Sequence, residues 1–227
     1  MSVLAGMNDH SEIWTFESLA EHDASRKSQY MKLPNIIQNA NSYFINSFTD
    51  CNKYDDLTMW RLYGEEGRGA CLTYEYSLDA IDQNSNLFLL PVHYVRSISS
   101  DMMKMLDCLN NNINLCSRRF ILKNLNVWQH FIKPVEFKDE AEVRLLMHYQ
   151  KEQEDKCSIR WILNSENKIF QPILIFNNYK SYPLKLVKIT LGPNFPFVDT
   201  NIGQVKYLAG LIDSSIQVSK SSCRFYR

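Results

Sequence analysis

The chain has 227 residues, of which 45% are hydrophobic, and its 25 basic residues balance 25 acidic ones. We predict a single domain over residues 1–227, because this length suits one compact core. The zero net charge gives no strong nucleic-acid signal, no apolar run is long enough to span a membrane, and no glycine-rich phosphate loop occurs.

The six cysteines show no C-x-x-C spacing, so a zinc site with standard spacing is not supported, and the preferred interpretation of the chain includes no metal site. The opening MSVLAGMNDH lacks the basic and apolar segments of a secretory leader. We therefore expect reduced thiols and a cytoplasmic location.

The first predicted elements are helix, strand and helix. Residues 1–16 are expected to be irregular, residues 17–40 to form a polar helix that Pro34 resets, and residues 43–48 to form a short strand. Residues 55–63 predict a helix, capped by Asp55 or Asp56, whose buried side includes Trp60 and Tyr63.

Strands outnumber helices in the rest of the chain. The longest helical stretch, residues 99–132, is interrupted by asparagines, and a last helix is predicted over residues 203–212. Further strands are predicted at residues 67–76, 87–95, 136–149, 157–163, 169–176, 185–192 and 215–222. Because no regular βαβ alternation occurs, the fold class is predicted as α+β, with a mixed or mostly antiparallel sheet and flanking helices.

The stretch EFKDEAEVRLLMHY, residues 136–149, combines alternation with charge. Val143 and Leu145 point to one face of the predicted strand, while Glu140, Glu142 and Arg144 point to the other. Such a face is either a solvated surface with ion pairs or part of a functional site.

Five segments, in order along the chain, resemble motifs of the domain of unknown function 2971 family. They are MNDHSE, NSFTDCNKYDDLTMWRLYGEEGRGACLTYEY, FIKPVEFKDEAEVRLL, VKITLG and VSKSSCRFYR. Members of that family normally carry one or two strands before the first motif. The chain begins almost at this motif, so we expect it to lack the family's N-terminal strand or strands.

A second resemblance is to ADP-ribosyltransferases, which would make the fold ADP-ribosyltransferase-like. Those enzymes use an arginine or histidine on a first strand, Ser-x-Ser/Thr on a second, and Glu-x-Glu at the head of a later strand. Ser47-Phe48-Thr49 and Glu140-Ala141-Glu142 match the last two motifs in order.

This resemblance implies an NAD-dependent transferase that acts on an unknown macromolecule or small molecule, in phage defence or a stress response. Glu142 would stabilise the positive charge that develops on the ribose of NAD, and Glu140 would orient or deprotonate the acceptor. The substrate-binding residues would be Ser47, Thr49, Tyr63 and Arg144.

Two alternatives remain open at this stage. The charged face could belong to a non-catalytic module that binds a ligand or a partner. It could also belong to a metal-dependent nuclease-like effector, in which Asp50, Asp56, Glu140 and Glu142 hold Mg²⁺. The absence of a basic surplus disfavours the nuclease.

Overall fold

The computed structural model describes residues 1–3, 42–76, 86–96, 125–150, 156–163, 170–178 and 182–223. Their contacts divide the chain into two compact units, residues 1–48 with 86–177 and residues 49–85 with 178–227. The prediction of a single domain over residues 1–227 stays a prediction. In this described part, no helix is long and apolar enough to cross a membrane.

The described residues form short helices and many strands. The strands are β1 Ser2–Val3, β2 Tyr43–Thr49, β3 Ala70–Tyr76, β4 Leu87–Pro91, β5 His93–Val95, β6 Ile132–Pro134, β7 Glu142–His148, β8 Cys157–Leu163, β9 Phe170–Phe176, β10 Leu184–Leu191 and β11 Gln217–Lys220. The α-helices are α1 Leu57–Tyr63, α2 Leu125–Trp128 and α3 Val198–Ile212. The described residues also form the 3₁₀ segments Cys51–Lys53, Gln129–Phe131 and Val135–Glu140.

The first unit is built on a six-stranded sheet with the order β4-β7-β2-β1-β9-β8. Strand β1 pairs antiparallel with both β2 and β9, and the Met1 amino group donates to the Leu174 carbonyl at 3.0 Å. The expected irregular start is therefore wrong at Ser2–Val3, and a strand does precede the MNDHSE motif. Two residues are too few to show the alternation by which strands are recognised.

The core of the first unit lies against one side of this sheet. Its buried members come from β2, β7 and the segment before β6, namely Tyr43, Ile45, Val127, Phe131 and Leu146. Leu145 and Met147, on the opposite face of β7, are also buried. Of the two alternatives for the charged face, a solvated surface is therefore excluded, because Glu142 and Arg144 are buried as well.

The second unit contains a three-stranded sheet in which β10 pairs in parallel with β11 and antiparallel with β3. Helix α1 begins after Asp56, whose side chain accepts from the backbone N–H groups of Thr58 and Met59 at 2.8 and 3.2 Å. Trp60 is buried as predicted, but Tyr63 is exposed. Tyr63 is the last residue of the helix, so no following turn of this helix packs beside its side chain.

The α+β class is confirmed, since antiparallel and parallel pairs occur together and strands dominate. The prediction over residues 87–95 is corrected to two strands, because β4 ends at Pro91 and β5 begins at His93. Within the predicted helix over residues 99–132, only residues 125–132 are described, and β6 begins at Ile132. The predicted helix over residues 17–40 and the motif at residues 7–12 lie outside the described residues.

Candidate functional site

The site is centred on a buried ion pair at the start of β7. Glu142 and Arg144 are two residues apart on one strand, so their side chains share a face. Arg144 Nε donates to Glu142 Oε1 at 2.6 Å and Nη2 donates to Oε2 at 3.0 Å. Only 6% of Glu142 and 2% of Arg144 is exposed. The planar guanidinium therefore forms two charge-assisted hydrogen bonds with the carboxylate, away from solvent.

A second cation reaches the same carboxylate from β6. Lys133 Nζ lies 3.0 Å from Glu142 Oε2 and 2.8 Å from Glu140 Oε2, and the lysine is buried. The four charges of Lys133, Arg144, Glu140 and Glu142 therefore balance within one network. Buried charges need such pairing, because desolvation of an isolated charge is costly.

Glu140 is not on the strand that carries Glu142. It ends the 3₁₀ segment Val135–Glu140, and Ala141 follows in the left-handed region with φ 44°. The strand begins only at Glu142, so the prediction that alternation puts both carboxylates on one strand face is wrong. Lys133 brings the two carboxylates together instead, because its ammonium group contacts both.

Ser47 connects the buried pair to the surface. It lies on β2, which neighbours β7 in the sheet, and it is exposed. Burial raises the pKa of Glu142. This effect is outweighed by the hydrogen bonds and charge of Arg144, by the hydrogen bond from the Ser47 hydroxyl and by the charge of Lys133. The net pKa of Glu142 is therefore lowered. Glu142 is therefore held ionised.

Glu142 has no spare acceptor position in this arrangement. Its two oxygens receive Nε and Nη2 of Arg144, Nζ of Lys133 and the hydroxyl of Ser47. A carboxylate has about four lone-pair sites. A ligand hydroxyl must therefore replace one of these donors, and Ser47 is the exposed one.

Two further residues form hydrogen bonds with Glu142 or Arg144. The Tyr94 hydroxyl accepts from the Glu142 backbone N–H at 2.8 Å, and the His130 carbonyl accepts from Arg144 Nη1 at 2.7 Å. Neither residue was among the sequence-predicted site residues, and nor was Lys133. The available signal was Lys133 itself, a charge inside the apolar stretch HFIKPV, where a paired buried lysine is a reasonable expectation.

The structure brings together only part of the predicted set. The predicted residues that meet in the first unit are Ser47, Glu140, Glu142 and Arg144. Thr49 and Tyr63 belong to the second unit, where both are exposed. Asp50 and Asp56, proposed as Mg²⁺ ligands, are also in the second unit. No three His, Cys, Asp or Glu residues in the described ranges are grouped so that they could hold a metal ion.

We expect His130 to make the stability of the fold depend on pH. Burial, and to a smaller extent the positive charge of Arg144, lowers the pKa of His130 to about 3. In the unfolded chain this pKa is about 6.5, so between these values the unfolded state binds the extra proton. Stability should therefore fall as the pH drops from about 6.5 towards 3, by up to about 1.4 kcal/mol per pH unit from this group.

Urea unfolding at several pH values measures this dependence. His130→Phe should be less sensitive to pH than wild type, while replacement of the exposed His93 by asparagine should leave the wild-type slope. Equal slopes in wild type and His130→Phe would contradict the assignment.

Comparison with known protein families finds a match to part of the chain. Residues 59–145 match the family model described as Protein of unknown function (DUF2971), which confirms the family resemblance over that range. The matched range includes Glu140, Glu142 and Arg144. No curated protein and no solved structure matches the chain significantly.

Proposed function

We propose that the first unit acts as an NAD-dependent ADP-ribosyltransferase-type domain, with Glu142 as its central carboxylate. The observation that carries this proposal is the hydrogen bond between Ser47 and Glu142, on neighbouring strands of one sheet. These are the serine and glutamate motifs on which the resemblance to ADP-ribosyltransferases depends. Strand β1, paired with β2, lies on the other side of the serine strand.

The chemistry follows from the ionised state of Glu142. Cleavage of the bond between ribose and nicotinamide develops positive charge on the ribose, which a fixed carboxylate stabilises more in the transition state than in the ground state. A ribose hydroxyl can replace the Ser47 hydroxyl as a donor to Glu142, since both groups donate one hydrogen bond. Lys133 would then hold Glu140 ready to orient the acceptor.

The test is release of nicotinamide from NAD by the purified chain. Glu142→Gln should reduce the rate by about a hundredfold or more, because it removes the charge and keeps the shape. Glu136→Gln is the matched control, since Glu136 is an exposed carboxylate of the same unit and should have no effect. Thermal melting of each variant checks that the fold survives.

A second candidate function is a module that binds a nucleotide or another polar ligand without reaction. It is favoured by the two cations on Glu142, which offset the negative charge that a transferase would use. Calorimetric titration separates the two: NAD that binds and is never consumed supports the module. If wild type neither binds nor consumes NAD, the transferase proposal is wrong.

The cellular setting follows from the same proposal. Cys51, Cys71, Cys157 and Cys223 are free thiols, which suits a reducing cytoplasm. The acceptor is a macromolecule or small molecule, and phage defence or a stress response is the expected context.

A further inference from the structure

The second unit holds a separate polar cluster around Tyr54. The Tyr54 hydroxyl lies 2.8 Å from Thr190 Oγ1, which in turn lies 3.4 Å from Ser219 Oγ. Lys188 Nζ lies 4.6 Å from the centre of the Tyr54 ring, and both Lys188 and Ser219 form side-chain hydrogen bonds with the phenol. One ammonium and two hydroxyl groups therefore surround a single phenolic oxygen.

The strands of this unit hold these groups in place. Lys188 and Thr190 are two residues apart on β10 and share a face, and Thr190 is opposite Ser219 on β11. Thr190 is fully buried, whereas Tyr54 is 40% exposed. The phenol thus lies between the buried Thr190 hydroxyl, the half-buried Lys188 and Ser219, and solvent, where a reagent can reach it.

The surroundings favour the ionised phenol. Burial raises the pKa of Tyr54, but hydrogen bonds from Lys188, Thr190 and Ser219 and the charge of Lys188 outweigh this effect, and the net pKa is lowered. A phenolate is a stronger nucleophile than a phenol, and activation by a lowered pKa is a general route to nucleophilic side chains.

We propose that Tyr54 is a nucleophilic phenol and a site of covalent modification, with the nicotinamide-bearing ribose carbon of NAD as its electrophile. The choice of NAD as donor depends on the proposed function. In this step the bond from Oη to the ribose carbon forms and the bond from that carbon to nicotinamide breaks. The electron pair leaves with nicotinamide and the phenolic proton goes to solvent, so no oxidant or reductant is needed.

The nucleophilic character of Tyr54 can be tested without NAD, by labelling with an aryl sulfonyl fluoride at pH 8 and peptide mass spectrometry. Tyr207 is the internal control: it is 67% exposed, and no hydrogen bond to it is seen among the described residues. Accessibility alone predicts faster labelling of Tyr207. Activation predicts that Tyr54 reacts faster than Tyr207, although Tyr54 is the less exposed of the two.

Removal of the ammonium should abolish this difference. Lys188→Met should bring labelling of Tyr54 down to the rate of Tyr207 or below it. If Lys188→Met does not fold, Ser219→Ala removes one donor with a smaller change of shape and should lower the rate in the same direction. Labelling of Tyr54 in wild type that is no faster than that of Tyr207 would overturn the proposal.

The donor is tested by incubation of wild type and Tyr54→Phe with NAD, followed by mass spectrometry. One ADP-ribosyl group on Tyr54 in wild type, absent in Tyr54→Phe, is the expected result. Release of nicotinamide with no modified Tyr54 would overturn NAD as donor and leave the transferase intact. If no nicotinamide is released, the proposed function and the NAD step both fail, and the sulfonyl fluoride result alone decides whether Tyr54 is nucleophilic.

Discussion

Arg144→Met should lower the free energy of unfolding by about 3–5 kcal/mol, the usual cost of removing one member of a buried ion pair. The change removes both hydrogen bonds to Glu142 and the bond to the His130 carbonyl. Of its charged partners among the described residues, Glu142 would keep Lys133, which also contacts Glu140. Urea denaturation monitored by circular dichroism measures the loss.

The double variant Arg144→Met, Glu142→Gln provides the matched comparison. Because the unpaired carboxylate is then absent, we expect the double variant to be no less stable than Arg144→Met alone. A loss below about 1 kcal/mol in Arg144→Met would place the pair in the range of exposed ion pairs and contradict its burial.

Trp60→Ala should cost about 3–5 kcal/mol, because it removes a large buried ring from the core of the second unit. Trp60 is 4% exposed, and its indole Nε1 donates to Asp55 Oδ1 at 2.8 Å. A Cβ placed at Gly64 would lie 2.5 Å from Trp60 Cε3, so the ring also explains why a glycine follows this helix. Denaturant unfolding of the purified variant measures the cost.

Trp60→Phe separates packing from the hydrogen bond. It keeps most of the ring and removes the N–H donor, while Asp55 retains the hydroxyls of Ser221 and Ser222 and the Ser222 backbone N–H. We therefore expect a loss clearly smaller than that of Trp60→Ala, with about 1 kcal/mol of it from the hydrogen bond. Equal losses in the two variants would show that the hydrogen bond, not the ring, dominates.

Local patterns were sufficient for most elements of the described residues. Strand β8 spans Cys157–Leu163, as its apolar run predicted, and Asp56 caps helix α1 as one of the two predicted residues. Such features depend on neighbours in sequence, through side-chain period and capping, so a single sequence contains them. The phase of β7 was also correct, since Glu142 and Arg144 share one face.

The surroundings of that face could not be predicted in the same way. The pattern of charges suggested either a solvated face or a functional site. In the structure Leu146, on the same face as Glu142 and Arg144, packs into the core of the first unit, and Leu145 and Met147 on the other face are buried too. Ala141 adopts a left-handed backbone conformation, so the strand begins after it and does not include Glu140. The spacing of residue types along the sequence does not predict a single left-handed residue.

The sequence by itself determined the α+β class, the family motif within residues 59–145 and the placement of Glu142 and Arg144 side by side. Only the tertiary structure decided that Lys133 of β6 pairs with Glu142, and that Ser47, but not the equally predicted Thr49, belongs to the same unit as this carboxylate. Side-chain periodicity acts over a few residues, whereas burial and charge pairing depend on which strands become neighbours.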